Sequence, residues 1–248
     1  MGMAGAGSAG HVSHQEEAGA RMYAVICDPG DRSALWAVDR LRARLGEVRL
    51  VAMDLFGLGG ALHWQLEAGA APSASLRLPD GGELDTRGCR AVLNRAQAFP
   101  RVSGGDADAA YVREELAAIS LAFLAAFGAR IFNRPDPLHP GGRLLSTAAW
   151  RRLAARAGLP AATVALGDAA APTPRVAQRS LVIGETVLAA EPAIAGLSRS
   201  LAALSGHSIL GLGFSAEGAL CEATALPDLS WGGEAAADAL AELLEGAR

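Results

Sequence analysis

"ALCEATALPDLSWGG" (219–233) decides how this chain is read. It begins as a short apolar strand that reaches an acidic residue, Glu222. A proline-marked loop follows at Pro227, and a helix starts after the Gly232-Gly233 pair. An acidic side chain near a strand tip is a natural place for a hard cation, which needs several oxygen ligands around it. The question is whether the chain supplies the others.

Working back from that stretch, "SILGLGFS" (208–215) reads as the strand that pairs with "GALCEATA" (218–225). "RSLVIGETVLAA" (179–190) reads as a hairpin turning near Gly184-Glu185. A helix is predicted near 193–205, with Ile194, Leu197, Leu201 and Leu204 on its apolar face. A closing helix over about 234–246 turns Leu240, Leu243 and Leu244 inward. Residues 167–178, "GDAAAPTPRVAQ", carry little apolar content and two prolines, and read as a linker.

The N-terminal part has a different pattern. "MYAVICD" (22–28) is a buried strand, and "PGDRSALWAVDRLRARLG" (29–46) a helix with Leu35, Val38, Leu41 and Leu45 on one face. "EVRLVAMDLFG" (47–57) is the next strand, so the chain opens β-α-β, the signature of a parallel sheet. Short strands in 61–69 and 74–85 flank a turn at Asp80-Gly81-Gly82. A strand in 89–100, a helix over about 108–127, a strand in 129–135 and a helix over 142–158 follow, the last leading into "LPAATVAL" (159–166). Residues 1–21 read as a flexible tail, 22–140 as an α/β domain and 141–248 as a C-terminal α+β part.

Composition narrows the function. The chain has 248 residues, 51% hydrophobic, with a net charge of −4, and shows no basic face of the kind nucleic acid requires. No window is long and apolar enough for a membrane span; "LAAISLAFLAAFGARIF" (116–132) comes nearest. Cys27, Cys89 and Cys221 are odd in number and widely spaced, which predicts small core residues and a reducing, cytoplasmic setting. All 22 basic residues are arginine. The chain therefore has no lysine for a Schiff base or for gripping a nucleotide phosphate.

Two strands end in the same dipeptide, Asn94-Arg95 and Asn133-Arg134. In open α/β sheets ligands sit beyond the C-terminal strand ends, and an arginine there takes a carboxylate or phosphate through its planar fork. These four residues are the candidate ligand-binding set. The alternative is structural, with Asn capping a turn and Arg paired to Asp106, Glu114 or Glu115. "GLGG" (57–60) and "GLG" (211–213) do not fit a dinucleotide fingerprint, and "GFSAEG" (213–218) is not a hydrolase elbow. His207 reads as a solvated helix-end histidine and Trp150 as core or interface, while His11 and His14 lie in the polar tail.

Taken in order, "RAVLNRAQAFP", "YVREEL", "RIFNRP", "LLSTAAWRRLAARAGLPAATV", "LVIGETVLAA" and "ALCEATALPDLS" resemble the ATP-grasp superfamily, and within it the RimK-type glutamate ligases. The resemblance spans most of 22–246 and implies an α/β fold: an N-terminal parallel, pre-ATP-grasp-like domain followed by a truncated ATP-grasp-like α+β part. It also implies departures. In the family a central module carrying phosphate-holding lysines and a glycine-rich flap lies where this chain has only residues 167–178. The family's metal-binding G-V-D falls on Gly211-Leu212-Gly213, and its E-x-N on Glu222-Ala223-Thr224, so Glu222 alone keeps its carboxylate.

The expectation is a non-catalytic binding or accessory protein for an acidic ligand, a peptide or a partner ligase, with a homodimer as a further expectation and no cofactor. Two alternatives stand beside it. One is an ATP-dependent carboxylate–amine ligase using ATP and magnesium through Glu222, with an arginine in place of lysine. The other is a ligand-free scaffold, which burial of Arg95 and Arg134 in ion pairs would favour.

Overall fold

The computed structural model describes residues 22–57, 62–69, 72–102, 105, 107–161, 175–189 and 191–247. The tail with His11 and His14, most of the "GLGG" stretch, Asp106, and most of the "LPAATVAL" strand and the 167–178 linker lie outside the described residues. Three sheets are present among the described residues. β1 (Met22–Cys27), β2 (Val48–Ala52), β6 (Cys89–Arg95) and β7 (Ile131–Phe132) form a parallel sheet in the order β2-β1-β6-β7. β3 (Leu62–Gln65), β4 (Ser73–Arg77) and β5 (Glu83–Asp85) form a small antiparallel sheet. β8 (Gln178–Ile183), β9 (Thr186–Ala189), β10 (Ile209–Phe214) and β11 (Leu220–Thr224) form the C-terminal antiparallel sheet, ordered β11-β10-β8-β9.

The period-two alternation of the strands explains the layering. In β1, Met22, Ala24 and Ile26 face a core shared with the small sheet and with α2 (Ala107–Ala125). Tyr23, Val25 and Cys27 face α1 (Arg32–Leu45), α5 (Gly233–Glu245) and the near side of β8 and β10. The far side of that second sheet packs on α3 (Thr147–Arg156) and α4 (Pro192–Ser205). The two large sheets thus share one apolar layer, and Arg44 seals its rim by pairing with Glu234 and Asp238, each at 2.7 Å.

The structure corrects several local expectations. Leu35 is 51% exposed, because Ala34, Ala37, Val38 and Leu41 take the buried stripe of α1. Leu204 is likewise exposed on α4. The helix expected over 142–158 starts only at Thr147, where the Ser146 hydroxyl caps the Ala149 amide; Gly142 before it holds a left-handed φ of 99°. The strand expected in 129–135 shrinks to two residues, because Asn133 turns the chain with a φ of 59°.

His207 is buried rather than solvated. Gly206 ends α4 in the left-handed conformation and swings His207 inward against Trp150, ring centroids 5.6 Å apart, with Nδ1 3.1 Å from the Ser205 hydroxyl. Burial holds the imidazole below its ordinary pKa; the Arg143 backbone opposes that shift and the Arg143 charge adds to it. The folded state therefore binds this proton more weakly than the unfolded chain. Its contribution to stability is complete above about pH 6.5 and is lost as the pH falls from there toward the lowered value. Urea titrations of the parent and His207→Gln at pH 7.5 and 5 should show a steeper acid loss for the parent; equal losses would remove His207 from the account.

The three cysteines are buried and free, as small core residues should be. Burial pushes the Cys27 and Cys89 thiols up to about 12 and raises that of Cys221. Among the described residues, no helix is long and apolar enough to cross a membrane.

Candidate functional site

The C-terminal ends of β1, β6 and β7 come together, as the parallel order requires, and the chain's own loop 225–229 lies across them. Arg95 is buried. Its Nε donates to Asp31 Oδ2 at 2.9 Å, and Nη1 donates to the Pro227 carbonyl at 3.0 Å. Its ion-pair partner is therefore Asp31, which also caps α1 by accepting from the Ala34 amide. Ser33 joins the same knot, donating to the Pro227 carbonyl and accepting from the Leu229 amide at 2.8 Å.

Asn94 and Asn133 are also buried, and both are spent on backbone. Asn94 Nδ2 donates to the carbonyls of Asn133 (2.8 Å) and Pro140 (2.7 Å), and its oxygen accepts from the Ala96 amide. Asn133 Nδ2 donates to Ala225 O at 2.8 Å, and its Oδ1 accepts from the Ile209 amide at 3.2 Å. The first contact reaches the loop after β11 and the second reaches β10. Arg134, one residue on, is exposed, and no ion pair to it is seen among the described residues.

Glu222 lies elsewhere, on β11, exposed and directly opposite Gly213 of β10. The two glycines of "GLG" have a steric role. A Cβ on Gly211 would stand 2.6 Å from Pro227 Cβ; one on Gly213 would stand 2.6 Å from Glu222 Cγ and 2.9 Å from Val176 Cγ2. The glutamate side chain thus lies over the place where a second carboxylate would start. The remaining oxygen, Thr224 Oγ1, accepts from the Leu226 amide at 3.1 Å. Among the described residues no three His, Cys, Asp or Glu side chains cluster as a metal would need. One free carboxylate does not fit magnesium, which demands an octahedron of oxygens.

The sequence reading missed Arg151. It projects from α3 into a small pocket of about 140 Å³ against β11, beside Thr147, Trp150, Cys221 and Glu222. Its Nε and Nη1 are shut off from solvent, with no hydrogen-bond partner among the described residues. A guanidinium so placed is costly unless an anion meets it. Nothing local marks this residue; Arg151 and Arg152 are adjacent on one helix, and only packing against β11 separates them.

No protein-family model matches the chain, and no curated protein matches it by sequence. Solved structures do match in fold. The macrocyclase MdnC from Microcystis aeruginosa MRC, bound with the precursor peptide MdnA, superposes with a TM-score of 0.66 at 12% identity, over 91% of this chain and all of that one. MdnB from the same organism gives 0.63 at 15%, over 90% and 99%. A RiPP-associated ATP-grasp ligase from Chryseobacterium gregarium, in complex with ADP and a leader and core peptide, gives 0.65 at 13%, over 90% and 96%. The chain has an ATP-grasp-like fold, mixed α/β, with one parallel and two antiparallel sheets among the described residues.

Proposed function

We propose that this protein keeps the ATP-grasp frame and binds rather than ligates. It acts as an accessory protein for an acidic ligand or peptide, alongside a partner ligase or that ligase's substrate. The observation that carries the reading is the Gly213–Glu222 pair: the position of the second metal carboxylate is a glycine, and the surviving glutamate fills the space above it. Phosphoryl transfer rests on charge neutralisation and positioning, so a chain with no lysine, and with Glu222 as the one carboxylate at the two aligned metal positions, has little with which to drive it. In the same proposal Arg95 and Asn133 hold the two halves together, Asn94 fixes the chain around Asn133 and Pro140, and the ligand role falls to the exposed Arg134 and to Arg151. The boundary near residue 140 and a shortened central module remain part of this reading, as does a homodimer.

The alternative of an ATP-dependent carboxylate–amine ligase draws on the fold match itself, since the matching proteins are ligases and macrocyclases. Calorimetry separates the two. Mg-ATP and Mg-ADP titrated into the chain should give no binding heat up to about 1 mM, an affinity no better than about −4 kcal/mol. Micromolar binding that disappears in Glu222→Ala would restore the ligase. Gly213→Asp, which supplies the second carboxylate, should cost about 1–3 kcal/mol through its clash with Glu222 and Val176 and still not create magnesium binding.

Arg151 has its own test. A short peptide with a free C-terminal carboxylate should bind the parent at least about tenfold more tightly than Arg151→Gln, a loss of one charge-assisted contact. Equal affinities would take Arg151 out of the site.

A further inference from the structure

The outer edge of β2 offers a second binding feature, in the N-terminal sheet and independent of the Arg151 pocket. β2 ends the parallel sheet. Its register with β1 pairs Tyr23 with Val48, Val25 with Leu50 and Cys27 with Ala52, and Tyr23 N donates to Glu47 O at 3.0 Å. In a parallel ladder that register turns the N–H and C=O of Arg49 and Val51 toward β1, and those of Val48, Leu50 and Ala52 outward. The outward Val48 carbonyl is taken by Arg42 Nε at 3.1 Å. Among the described residues Leu50 and the Ala52 amide have no ladder partner on that side, while the Ala52 carbonyl caps the 3-10 turn over Met53–Phe56.

A groove of about 650 Å³ runs along this edge. α1 forms one wall, with Leu35 at its lip, and Leu78 and Pro79 of the β4–β5 turn form the other, with Leu55 beyond. That turn is held in place by Arg49, which bridges Glu47 (3.0 Å) and Asp80 (3.1 Å). The half-exposed Leu35, out of place on a helix meant to bury its leucines, is an apolar contact on the groove wall.

The groove is acidic at the C-terminal end of β2. Asp28 lines it there. Asp31 is neutralised by Arg95, whereas Asp28 accepts from the backbone amides of Gln97 and Ala98 and no ion pair to it is seen among the described residues. We infer that the free edge of β2 is a docking edge for an extended peptide segment: the segment adds a strand against Leu50 and Ala52, seats apolar side chains between Leu35 and Leu78, and places one basic side chain at Asp28. Main-chain pairing supplies affinity in such sites, and the flanking pockets and charges supply selectivity.

The test uses an acetylated hexapeptide of alternating valine and threonine with one arginine, and a twin with glutamate in its place. By fluorescence anisotropy, the arginine peptide should bind about tenfold more tightly than the twin, and Asp28→Asn should erase that difference. Leu50→Pro removes an outward N–H that β1 does not use, so the strand tolerates it while peptide binding is lost. In amide exchange on the parent protein, the arginine peptide should slow Leu50 and Ala52 while leaving Arg49 and Val51 unchanged. The inference is overturned if neither peptide binds at 1 mM, if both bind alike, or if Leu50 and Ala52 show no added protection. It is also overturned if they are already protected without peptide in a concentration-dependent dimer, which would give the edge to a second copy of the chain.

Discussion

Arg95→Ala should destabilise the protein by about 3–5 kcal/mol, the cost of leaving a buried charge without its partner. Both side chains of the pair are almost wholly buried, Arg95 at 4% exposure and Asp31 at 5%, so water cannot stand in for the guanidinium. The Pro227 carbonyl loses its donor as well. For a chain of this size the melting temperature should drop on the order of 10 °C. Asp31→Ala should cost a comparable amount, including about 1 kcal/mol for the lost helix cap. The double variant should cost clearly less than the two singles together, because each single already breaks the shared contact. Urea unfolding of the three variants reads all of this. An Arg95→Ala protein within about 0.5 kcal/mol of the parent would mean that the guanidinium does not hold loop 225–229, and would return it to the ligand-binding set.

Asn133→Ala should cost about 2–4 kcal/mol, from two separable sources. The first is hydrogen bonding: the Ile209 amide and the Ala225 carbonyl both lose their partner in a buried position. The second is the backbone, since a φ of 59° is one that asparagine tolerates and alanine resists by about 1–2 kcal/mol. Asn133→Gly isolates the first source, because glycine adopts that conformation freely. Glycine should therefore be the milder change by about 1 kcal/mol, with both variants weaker than the parent. If glycine matches the parent, the side chain contributes nothing across the junction and only the turn matters. These two variants examine the same arrangement from two places: β6 and the turn after β7 each send one side chain to the backbone around β10 and β11.

Much of the architecture is legible locally. The β-α-β opening shows in apolar runs and a capped helix, the hairpin of β8 and β9 in Gly184-Glu185, and the β4–β5 turn in Asp80-Gly81-Gly82. The order of the motifs carried the likeness to ATP-grasp proteins, which the solved structures support at the level of fold. Leu35 shows the limit of that approach: helical spacing places it on the apolar face, yet the stripe that α1 buries is shifted onto Ala34 and Ala37. His207 shows it again, since a histidine after a helix-ending glycine is exposed or buried according to where the next strand runs.

The sequence by itself determined the strand and helix periods, the turns, the absence of lysine and the glycine at position 213, because each of these is a property of residue type and near neighbours. Only the tertiary structure decided what the arginines do. Arg95 meets Asp31 across 64 residues and Pro227 across 132, because the order β2-β1-β6-β7 sets β6 beside β1 and the shared apolar layer brings the C-terminal loop onto their ends. Arg151 came to line one pocket with Glu222 through the packing of α3 on β11. Side-chain partners at such separations follow from which strands pair and which faces are buried together, and no local pattern encodes that choice.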